Sequence, residues 1–464
     1  MGMTDDSPRV YDEVERVVRC WPVGEPLFAL CSGGELCAWN RWTILARPSV
    51  MARFVGGRTE IFSVGGGKKE QRFIEVLKGR MTHDPAGDLM MLLNAGVEGL
   101  GLGSCCGGSD CGVPFHGGWI GSISYDLGVC LEPSARHGVG IDTKRGDCGG
   151  VLFEMGWCVD GVVYDRLEGR WYEVGEAPVR VGVDDGCSDV ENDLPYMLSE
   201  FVAESSQGKV EQAVARTIEY IRAGDIFQAN ISQRFHASFS GNRRGMFLKA
   251  LERNPSWYSA YLELGDERTI LSLSPELFFS FDELSREVVT RPIKGTEGVE
   301  VDCSVLEKSV KDQAELNMIV DLMRNDLGRV CEFGSVGVRG GRMIETHGTV
   351  HHGVATVGGR VHAGLGVGDI LRAVFPGGSI TGAPKIRAMQ IIDELEDFKR
   401  GLFFGAIGYA GRRGACFNLA IRTMLIEGGR AMYVAGGGIV ADSDPGKEYE
   451  EMLVKVRGAR VLCS

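Results

Sequence analysis

Glycine is the feature that most limits the folds open to this chain, because it makes up 67 of the 464 residues, about twice the usual share of roughly 7 %. Only 15 residues are proline, and no Gly-X-Y period runs through the sequence. Collagen and low-complexity linkers are therefore excluded. Glycine at this frequency predicts many turns, and several places where the backbone closely approaches a ligand or another backbone segment.

Short strands separated by turns are predicted to dominate the first 200 residues. Apolar runs predict one clear helix, at 70–81, and strands at 27–31, 43–46, 119–125, 151–159 and 171–174. An acidic stretch that ends in proline, 184–195, is typical of a connector. This organisation indicates an N-terminal region, 1–200, which precedes a region with a different pattern of secondary structure.

The C-terminal region, 205–464, begins with a helical pattern at 209–223 that Gly224 ends, and a strand pattern follows at 226–235. Helices and strands then alternate without the strict rhythm of βαβ units. We therefore expect two structural layers that share one continuous core.

Charge and hydropathy argue against several classes of protein. The net charge is −13 and no long Lys/Arg block occurs, so no nucleic-acid partner is expected. No apolar run approaches the roughly 20 residues that span a bilayer, and the acidic N-terminus lacks a signal-peptide core, which predicts a cytoplasmic protein without a membrane partner. The Cys105–Cys111 cluster lacks the four ligands of a zinc site and is interpreted as a surface loop.

The run Gly436, Gly437 and Gly438 follows a strand pattern, as a nucleotide-binding loop would. The segment after it, however, contains Asp442, Asp444 and a proline and cannot form the first turn of a helix, which argues against a dinucleotide site. Exposed backbone amides in such a run can form a concave anion site. We therefore expect these three glycines to bind a carboxylate.

Two helical patterns each place acidic side chains on one face. Asp312 and Glu315 are spaced i, i+3, and Glu448, Glu451 and Lys455 are spaced i, i+3, i+7. A solvated face with salt bridges would explain either helix alone. Two such helices beside a glycine run favour a site for Mg²⁺, which prefers oxygen ligands and retains open positions for water and substrate.

Seven segments of the C-terminal region together resemble the chorismate-utilising enzymes, the family of anthranilate synthase component I, aminodeoxychorismate synthase component I, isochorismate synthase and salicylate synthase. A further match, Gly-Gly-Trp-Ile-Gly-Ser-Ile-Ser-Tyr-Asp, lies at 117–126. The seven segments are 224–234, 274–278, 291–296, 321–326, 375–385, 420–423 and 436–445. The resemblance implies an α+β fold with two stacked antiparallel β-sheets flanked by helices.

Two positions distinguish the reactions within this family. Isochorismate and salicylate synthases carry a water-activating Lys where this chain has Gln228, which cannot act as a base. In the motif Pro-Ile-Lys-Gly-Thr, anthranilate synthases carry Ala where this chain has Lys294. The resemblance implies that Lys294 attacks ring carbon two of chorismate, and that ammonia then enters carbon four to give 4-amino-4-deoxychorismate, a precursor of p-aminobenzoate and folate.

The resemblance also implies roles for other residues. Glu276 matches the general acid, Glu315 and Glu451 match direct Mg²⁺ ligands, and Asp312 and Glu448 match nearby or water-mediated ones. His352 and Thr381 match polar pocket positions, with His351 as the alternative histidine. Gln228, Arg422, Lys455 and the three glycines are expected to contact chorismate. Ser32 matches a segment that lines a tryptophan pocket in relatives.

A separate glutamine amidotransferase is the implied source of ammonia. The chain has no His-x-Glu pair, and its Gly-x-Cys-x-Gly matches at 103–107 and 146–150 are not strand-to-helix turns. Two alternatives stay open: an anthranilate synthase component I, and a non-catalytic homologue that binds a small molecule and regulates a partner.

Overall fold

The computed structural model describes residues 10–94, 112–135, 150–175, 194–348 and 350–463. The Cys105–Cys111 cluster and most of the predicted connector at 184–195 lie outside these ranges. Within them, the helices are α1 (Val10–Arg19), α2 (Lys68–Lys78), α3 (Pro85–Asn94), α4 (Leu127–Leu131), α5 (Gln207–Ala223), α6 (Arg243–Arg253), α7 (Cys303–Lys308), α8 (Val310–Leu327), α9 (Val367–Val374), α10 (Lys385–Leu395) and α11 (Pro445–Cys463). Short 3₁₀ turns lie at Pro133–Ala135 and Gly378–Ile380.

The strands in the N-terminal region are β1 (Phe28–Cys31), β2 (Trp42–Val55), β3 (Arg58–Ser63), β4 (Gly118–Ile123), β5 (Phe153–Asp165), β6 (Arg170–Val174) and β7 (Tyr196–Leu198). Those that follow, up to residue 300, are β8 (Val202–Ala203), β9 (Gln228–Gly241), β10 (Tyr258–Glu263), β11 (Thr269–Ser274), β12 (Leu277–Asp282), β13 (Glu287–Arg291) and β14 (Ile293–Gly298). The remainder are β15 (Gly337–Val338), β16 (Met343–His347), β17 (Val350–Val354), β18 (Val357–Arg360), β19 (Gly382–Ala383), β20 (Ala406–Gly411), β21 (Gly414–Leu419), β22 (Thr423–Glu427) and β23 (Arg430–Ile439).

Two antiparallel arrays of strands extend from the long pair β2 and β5. One runs from β2 through β1, β10, β11, β22 and β23 to β9. The other runs from β5 through β4, β20, β21, β12, β13 and β18 to β15. The predicted α+β fold with antiparallel sheets is therefore confirmed.

The alternation of side chains along each strand explains how the two sheets are layered. On β10, Ala260 and Leu262 belong to the largest apolar core, which also contains Phe279 and Phe417 of the other sheet. Tyr261, between them, faces a second core formed with α1, α6 and α11. A period of two thus places one face against the other sheet and the opposite face against helices. The largest core draws residues from both sides of the predicted boundary near residue 200, but where the regions divide stays a prediction.

Helix α5 illustrates how local sequence sets an element. Val210, Val214 and Ile218 are buried at helical spacing. Gly224 follows with φ of 84°, a left-handed conformation that glycine adopts without steric cost, and its N–H bonds back to the carbonyl groups of the last turn. The strand β9 begins soon afterwards, as predicted, but extends six residues beyond the predicted end.

A small third sheet, in the order β14, β17, β16, carries part of the site described below. Thr296 and Glu345 lie on either side of His352 in the register of the three strands. No helix within the described ranges is long and apolar enough to cross a membrane.

Candidate active site

A lysine, a serine and a glutamate from three distant segments meet at the centre of the site. Lys294 lies on β14, Glu276 in the link between β11 and β12, and Ser379 in the turn Gly378–Ile380. The Ser379 hydroxyl donates to Glu276 Oε1 at 2.7 Å, and the Ser379 carbonyl oxygen accepts from Lys294 Nζ at 3.1 Å. One serine therefore fixes the two predicted catalytic groups relative to each other.

The environment of Glu276 favours its protonated form. The residue is only 5 % exposed, and burial raises its pKa to about 7, although the Ser379 hydrogen bond and the charge of Lys294 oppose that shift. A neutral carboxylic acid can donate a proton, and catalysis is most efficient when its pKa is close to the working pH. Glu276 is thus suited to be a general acid near neutrality.

The environment of Lys294 shifts its protonation equilibrium towards the neutral amine. Burial lowers its pKa, and Lys455 acts in the same direction, whereas Glu276 and Glu315 oppose the shift. The desolvation that disfavours an ionised carboxyl also disfavours an ammonium group. A neutral amine beside a neutral acid is a pair that can attack an electrophilic carbon and protonate a leaving group.

Gln228 presents an amide without partners next to this pair. The residue is 1 % exposed, and neither Oε1 nor Nε2 has a hydrogen-bond partner in the part of the chain that the structure describes. A Cβ atom at Gly438 would lie 2.3 Å from Gln228 Nε2 and 3.7 Å from Lys294 Nζ. Because buried amides normally find partners, Gln228 is available to bind a ligand.

The prediction that residues 436–438 form a loop is wrong. These residues lie inside β23 and pair with Asn230, Ile231 and Ser232 of β9, so their amides do not form a concave nest. Glycine is needed for space instead: a Cβ at Gly436 would lie 2.7 Å from that of Ser232. The Gly436 carbonyl accepts from Lys455 Nζ at 2.8 Å, which places that predicted cation at the strand.

His352 and Arg422 approach the site from two other elements. His352 is buried, its Nδ1 lies 2.8 Å from Thr296 Oγ1, and its Nε2 has no partner among the described residues. Burial, together with the charge of Arg422, lowers the pKa of His352 to about 2, so its imidazole is neutral. No carboxylate in the described part of the chain pairs with Arg422, whose backbone φ is 49°.

Carboxylates on α8 and α11 face one another beside Lys294. Burial raises the pKa of Glu315, and Asp312 and Glu448 add to that shift; burial and Glu451 raise the pKa of Glu448 in the same way. Partly buried carboxylates that repel one another form a donor set suited to Mg²⁺.

The same carboxylates also have protein partners. Glu451 pairs with Lys455 at 2.7 Å, and Glu448 Oε1 accepts from Ser443 Oγ at 2.7 Å. Among the residues that the structure describes, no three acidic, His or Cys side chains converge closely enough to hold a metal ion. The donors fit Mg²⁺ by chemistry, and Oε1 of Glu451 is engaged by Lys455.

The sequence of this chain matches a known protein family over residues 109–460, described as chorismate binding enzyme. The match covers the whole site. The chain belongs to the chorismate binding enzymes.

Similar proteins of known name include aminodeoxychorismate synthase component 1 from Klebsiella aerogenes, which is 38 % identical over 74 % of this chain and 76 % of its own length. The protein of the same name from Escherichia coli is also 38 % identical with the same shares covered. Anthranilate synthase component 1 from Streptomyces coelicolor is 34 % identical over 74 % of this chain and 72 % of its own length.

Solved structures confirm the fold. Anthranilate synthase component I from Streptococcus pneumoniae superposes with a TM-score of 0.72 at 28 % identity, covering 92 % of this chain and 93 % of that one. The menaquinone-specific isochorismate synthase from Escherichia coli superposes with a TM-score of 0.66 at 14 % identity, covering 97 % and 91 %. That second likeness concerns the fold alone.

Sequence reasoning missed Ser379 and Thr296, although both lie inside the quoted motifs. Their hydroxyl groups bind catalytic candidates, and a polar residue in a glycine-rich motif was the available signal. Thr381 was predicted as a pocket residue, but it is fully buried and its hydroxyl donates to the Gly377 carbonyl at 2.9 Å. Its side chain stabilises the turn that carries Ser379.

Ser32 lines a separate pocket of about 120 Å³ between the two sheets, together with Trp39, Trp257 and Tyr258. The Ser32 hydroxyl donates to the Trp42 carbonyl at 2.7 Å. Ser32 therefore borders a cavity, and a tryptophan pocket at this place stays a prediction.

Proposed function

We propose that this protein aminates chorismate to 4-amino-4-deoxychorismate, using ammonia from a glutamine amidotransferase partner. The observation that carries the proposal is the pair of Lys294 and Glu276 held by Ser379. A nucleophilic lysine is the group that would favour amination at carbon four over the anthranilate reaction. The names of the similar proteins, aminodeoxychorismate synthase component 1, support the same reaction.

Covalent catalysis by Lys294 follows from the environment of that pair. The neutral amine attacks ring carbon two, the ring double bonds shift, and the bond between carbon four and its hydroxyl breaks. Glu276 gives its proton to the departing oxygen, so that water leaves rather than hydroxide. Ammonia then attacks carbon four, the double bonds shift back, and the bond between Lys294 and carbon two breaks. The carboxylate of Glu276 can accept the proton that the added nitrogen loses.

Substrate carboxylates are proposed to bind to cations at the edge of the site. Arg422 offers a planar guanidinium without a carboxylate partner in the described ranges, and such a group can bind a carboxylate through two parallel hydrogen bonds. Lys455 can release Glu451 and bind a second carboxylate as a point charge. The free amide of Gln228 and Nε2 of His352 would orient the ring and its hydroxyl.

Magnesium is the proposed cofactor, held by Glu315 and Glu451, with Glu448 and Asp312 as further or water-mediated partners. When bound, the ion would supply positive charge for a chorismate carboxylate. Release of Glu451 from Lys455 would at the same time free that lysine for substrate. The carboxylate helices α8 and α11 would thus hold the cation, whereas Lys294 and Glu276 would carry out the chemistry.

The nitrogen source is proposed to be a separate amidotransferase subunit. The phrase component 1 in the names of the similar proteins implies a second component. We also propose that the reaction takes place in the cytoplasm, where p-aminobenzoate and folate would be formed downstream.

The identity of the reaction product tests the proposed function. Purified protein is incubated with chorismate, ammonium and Mg²⁺, and the products are separated and identified by mass spectrometry. A non-aromatic amino acid that retains the enolpyruvyl group is expected. Fluorescent anthranilate would instead establish the alternative that the Streptomyces coelicolor relative suggests. No consumption of chorismate, despite binding, would establish the non-catalytic alternative.

A further inference from the structure

His352 ends a chain of buried charged and aromatic groups that the proposed reaction does not use. Glu345 is paired with Arg291 and lies directly opposite His352 in the third sheet. His347 Nε2 lies 3.3 Å from Glu345 Oε2. The rings of His347 and His352 meet edge to face, with centroids 5.2 Å apart and an angle of 82°. His347 therefore packs directly against the imidazole of His352.

His347 is itself tightly held. It is 5 % exposed, and its ring stacks on Trp257 with centroids 3.9 Å apart and an angle of 18°. Arg291 lies 4.3 Å above the ring of Trp39 and donates to Thr356 Oγ1 at 3.2 Å. These contacts fix both ends of the pair formed by Glu345 and His347.

A buried charged array of this kind costs desolvation energy, and apolar residues could fill the same space. Although burial opposes it, the hydrogen bond from His347 and the charge of Arg291 hold the pKa of Glu345 below its ordinary value. Glu345 is thus an anion that orients the ring of His347. That ring in turn restricts the rotation of His352, whose other nitrogen is fixed by Thr296.

We propose that His347, oriented by Glu345, is a positioning residue for His352 that keeps Nε2 of His352 directed at the substrate. This role depends on the proposed function in one respect, namely that the substrate bound by His352 is chorismate. Neither residue was singled out by the sequence, and within the described ranges neither forms a hydrogen bond or an ion pair with Lys294 or Glu276. A displaced imidazole would lower the rate of the chemical step more than the affinity for substrate, since small misplacements of a reacting or orienting group are costly.

The variant His347→Phe tests this role, because phenylalanine retains a flat ring for Trp257 and His352 but cannot bond to Glu345. We expect kcat to fall roughly 10- to 100-fold with KM for chorismate changed less than about twofold. The matched control is His362→Phe, which makes the same replacement at an exposed histidine outside the third sheet. That control is expected to retain wild-type kinetics.

A double-mutant cycle separates positioning from a merely structural role. If His347 acts through His352, then His347→Phe combined with His352→Ala should be no slower than His352→Ala alone. Losses that multiply in the double variant would overturn the proposal.

Magnetic resonance of ¹⁵N-labelled imidazoles gives a readout that does not require turnover. The chain has 8 histidines, and the signals of His352 are assigned by their loss in His352→Ala. His347→Phe should shift the Nδ1 and Nε2 signals of His352, whereas His362→Phe should leave them in place. Unchanged His352 signals in His347→Phe would refute the positioning role even if chorismate is not the substrate. A shift in a protein that does not consume chorismate would support positioning and refute only the proposed function.

Discussion

The raised pKa of Glu276 has a consequence for stability that can be measured without any substrate. Glutamate has an ordinary pKa of 4.5, and burial raises that of Glu276 to about 7. The folded state therefore binds this proton more tightly than the unfolded state, and stability falls as the pH rises from about 4.5 to about 7. At about 1.36 kcal/mol per pKa unit, ionisation of Glu276 destabilises the folded state by about 3 kcal/mol above neutral pH.

The variant Glu276→Gln removes this cost, because glutamine has nearly the same shape and can still accept the hydrogen bond from Ser379. The free energy of unfolding of the variant minus that of the wild type should be about 2–3 kcal/mol greater at about pH 8.5 than at about pH 5. Urea unfolding followed by tryptophan fluorescence measures both proteins at both pH values. Glu300→Gln, a change at an exposed carboxylate, is the control and should show nearly the same difference at each pH.

Activity should change in the opposite direction to stability. Loss of a general acid typically costs roughly 10²–10⁴-fold in rate, so Glu276→Gln should be the more stable and far slower protein. In the wild type, kcat should decline as the pH rises above about 7, since the acid is then ionised. A stability advantage that is equal at both pH values would refute a raised pKa for Glu276, and with it the assignment as a neutral proton donor near neutrality.

Three further tests address other parts of the site. Chorismate without ammonia should leave a covalent adduct on Lys294, which intact-protein mass spectrometry detects. The variant Lys294→Ala should form no adduct and should lose most of its amination activity. Lys294→Arg should be at least as inactive, because a guanidinium stays protonated. Glu315→Ala and Glu451→Ala should each abolish Mg²⁺-dependent turnover without unfolding the protein, and near-wild-type activity at millimolar Mg²⁺ in either variant would refute the metal assignment. Gly438→Ala places a methyl group 2.3 Å from Gln228 Nε2 and should raise KM for chorismate roughly tenfold, whereas Gly458→Ala, which meets open space, should not.

The sequence was most informative where several short motifs together resembled a known family. That resemblance predicted the roles of Lys294 and Glu276, and the structure brings the two residues together at Ser379. Ser379, which joins them, was missed because the bond to Glu276 spans 103 positions in the chain. No local pattern reports which hydroxyl a folded chain will bring to a given carboxyl.

Tertiary structure also explains the wrong prediction at 436–438. A run of glycines has weak preferences of its own, and turns are where such runs are most often found. Here the long strand β9 pairs with the run along its full length, and the side chains of Gln228 and Ser232 occupy the space above it. At this position glycine allows two strands and their side chains to pack closely. Composition alone cannot tell this use of glycine from its use as a flexible residue in a loop.

The coupling between Lys294 and Glu276 determines which proton state the site can use. In water, the two groups would form an ammonium and a carboxylate, a state in which the amine cannot attack and the acid cannot donate. Burial lowers the pKa of the lysine and raises that of the glutamate, so both shifts favour the same transfer of a proton from nitrogen to oxygen. Ser379 accepts from the amine through its carbonyl and donates to the carboxyl through its hydroxyl, so it binds both partners of this transfer. The protonation of each residue therefore depends on the other, and changing either one alters the proton state of its partner.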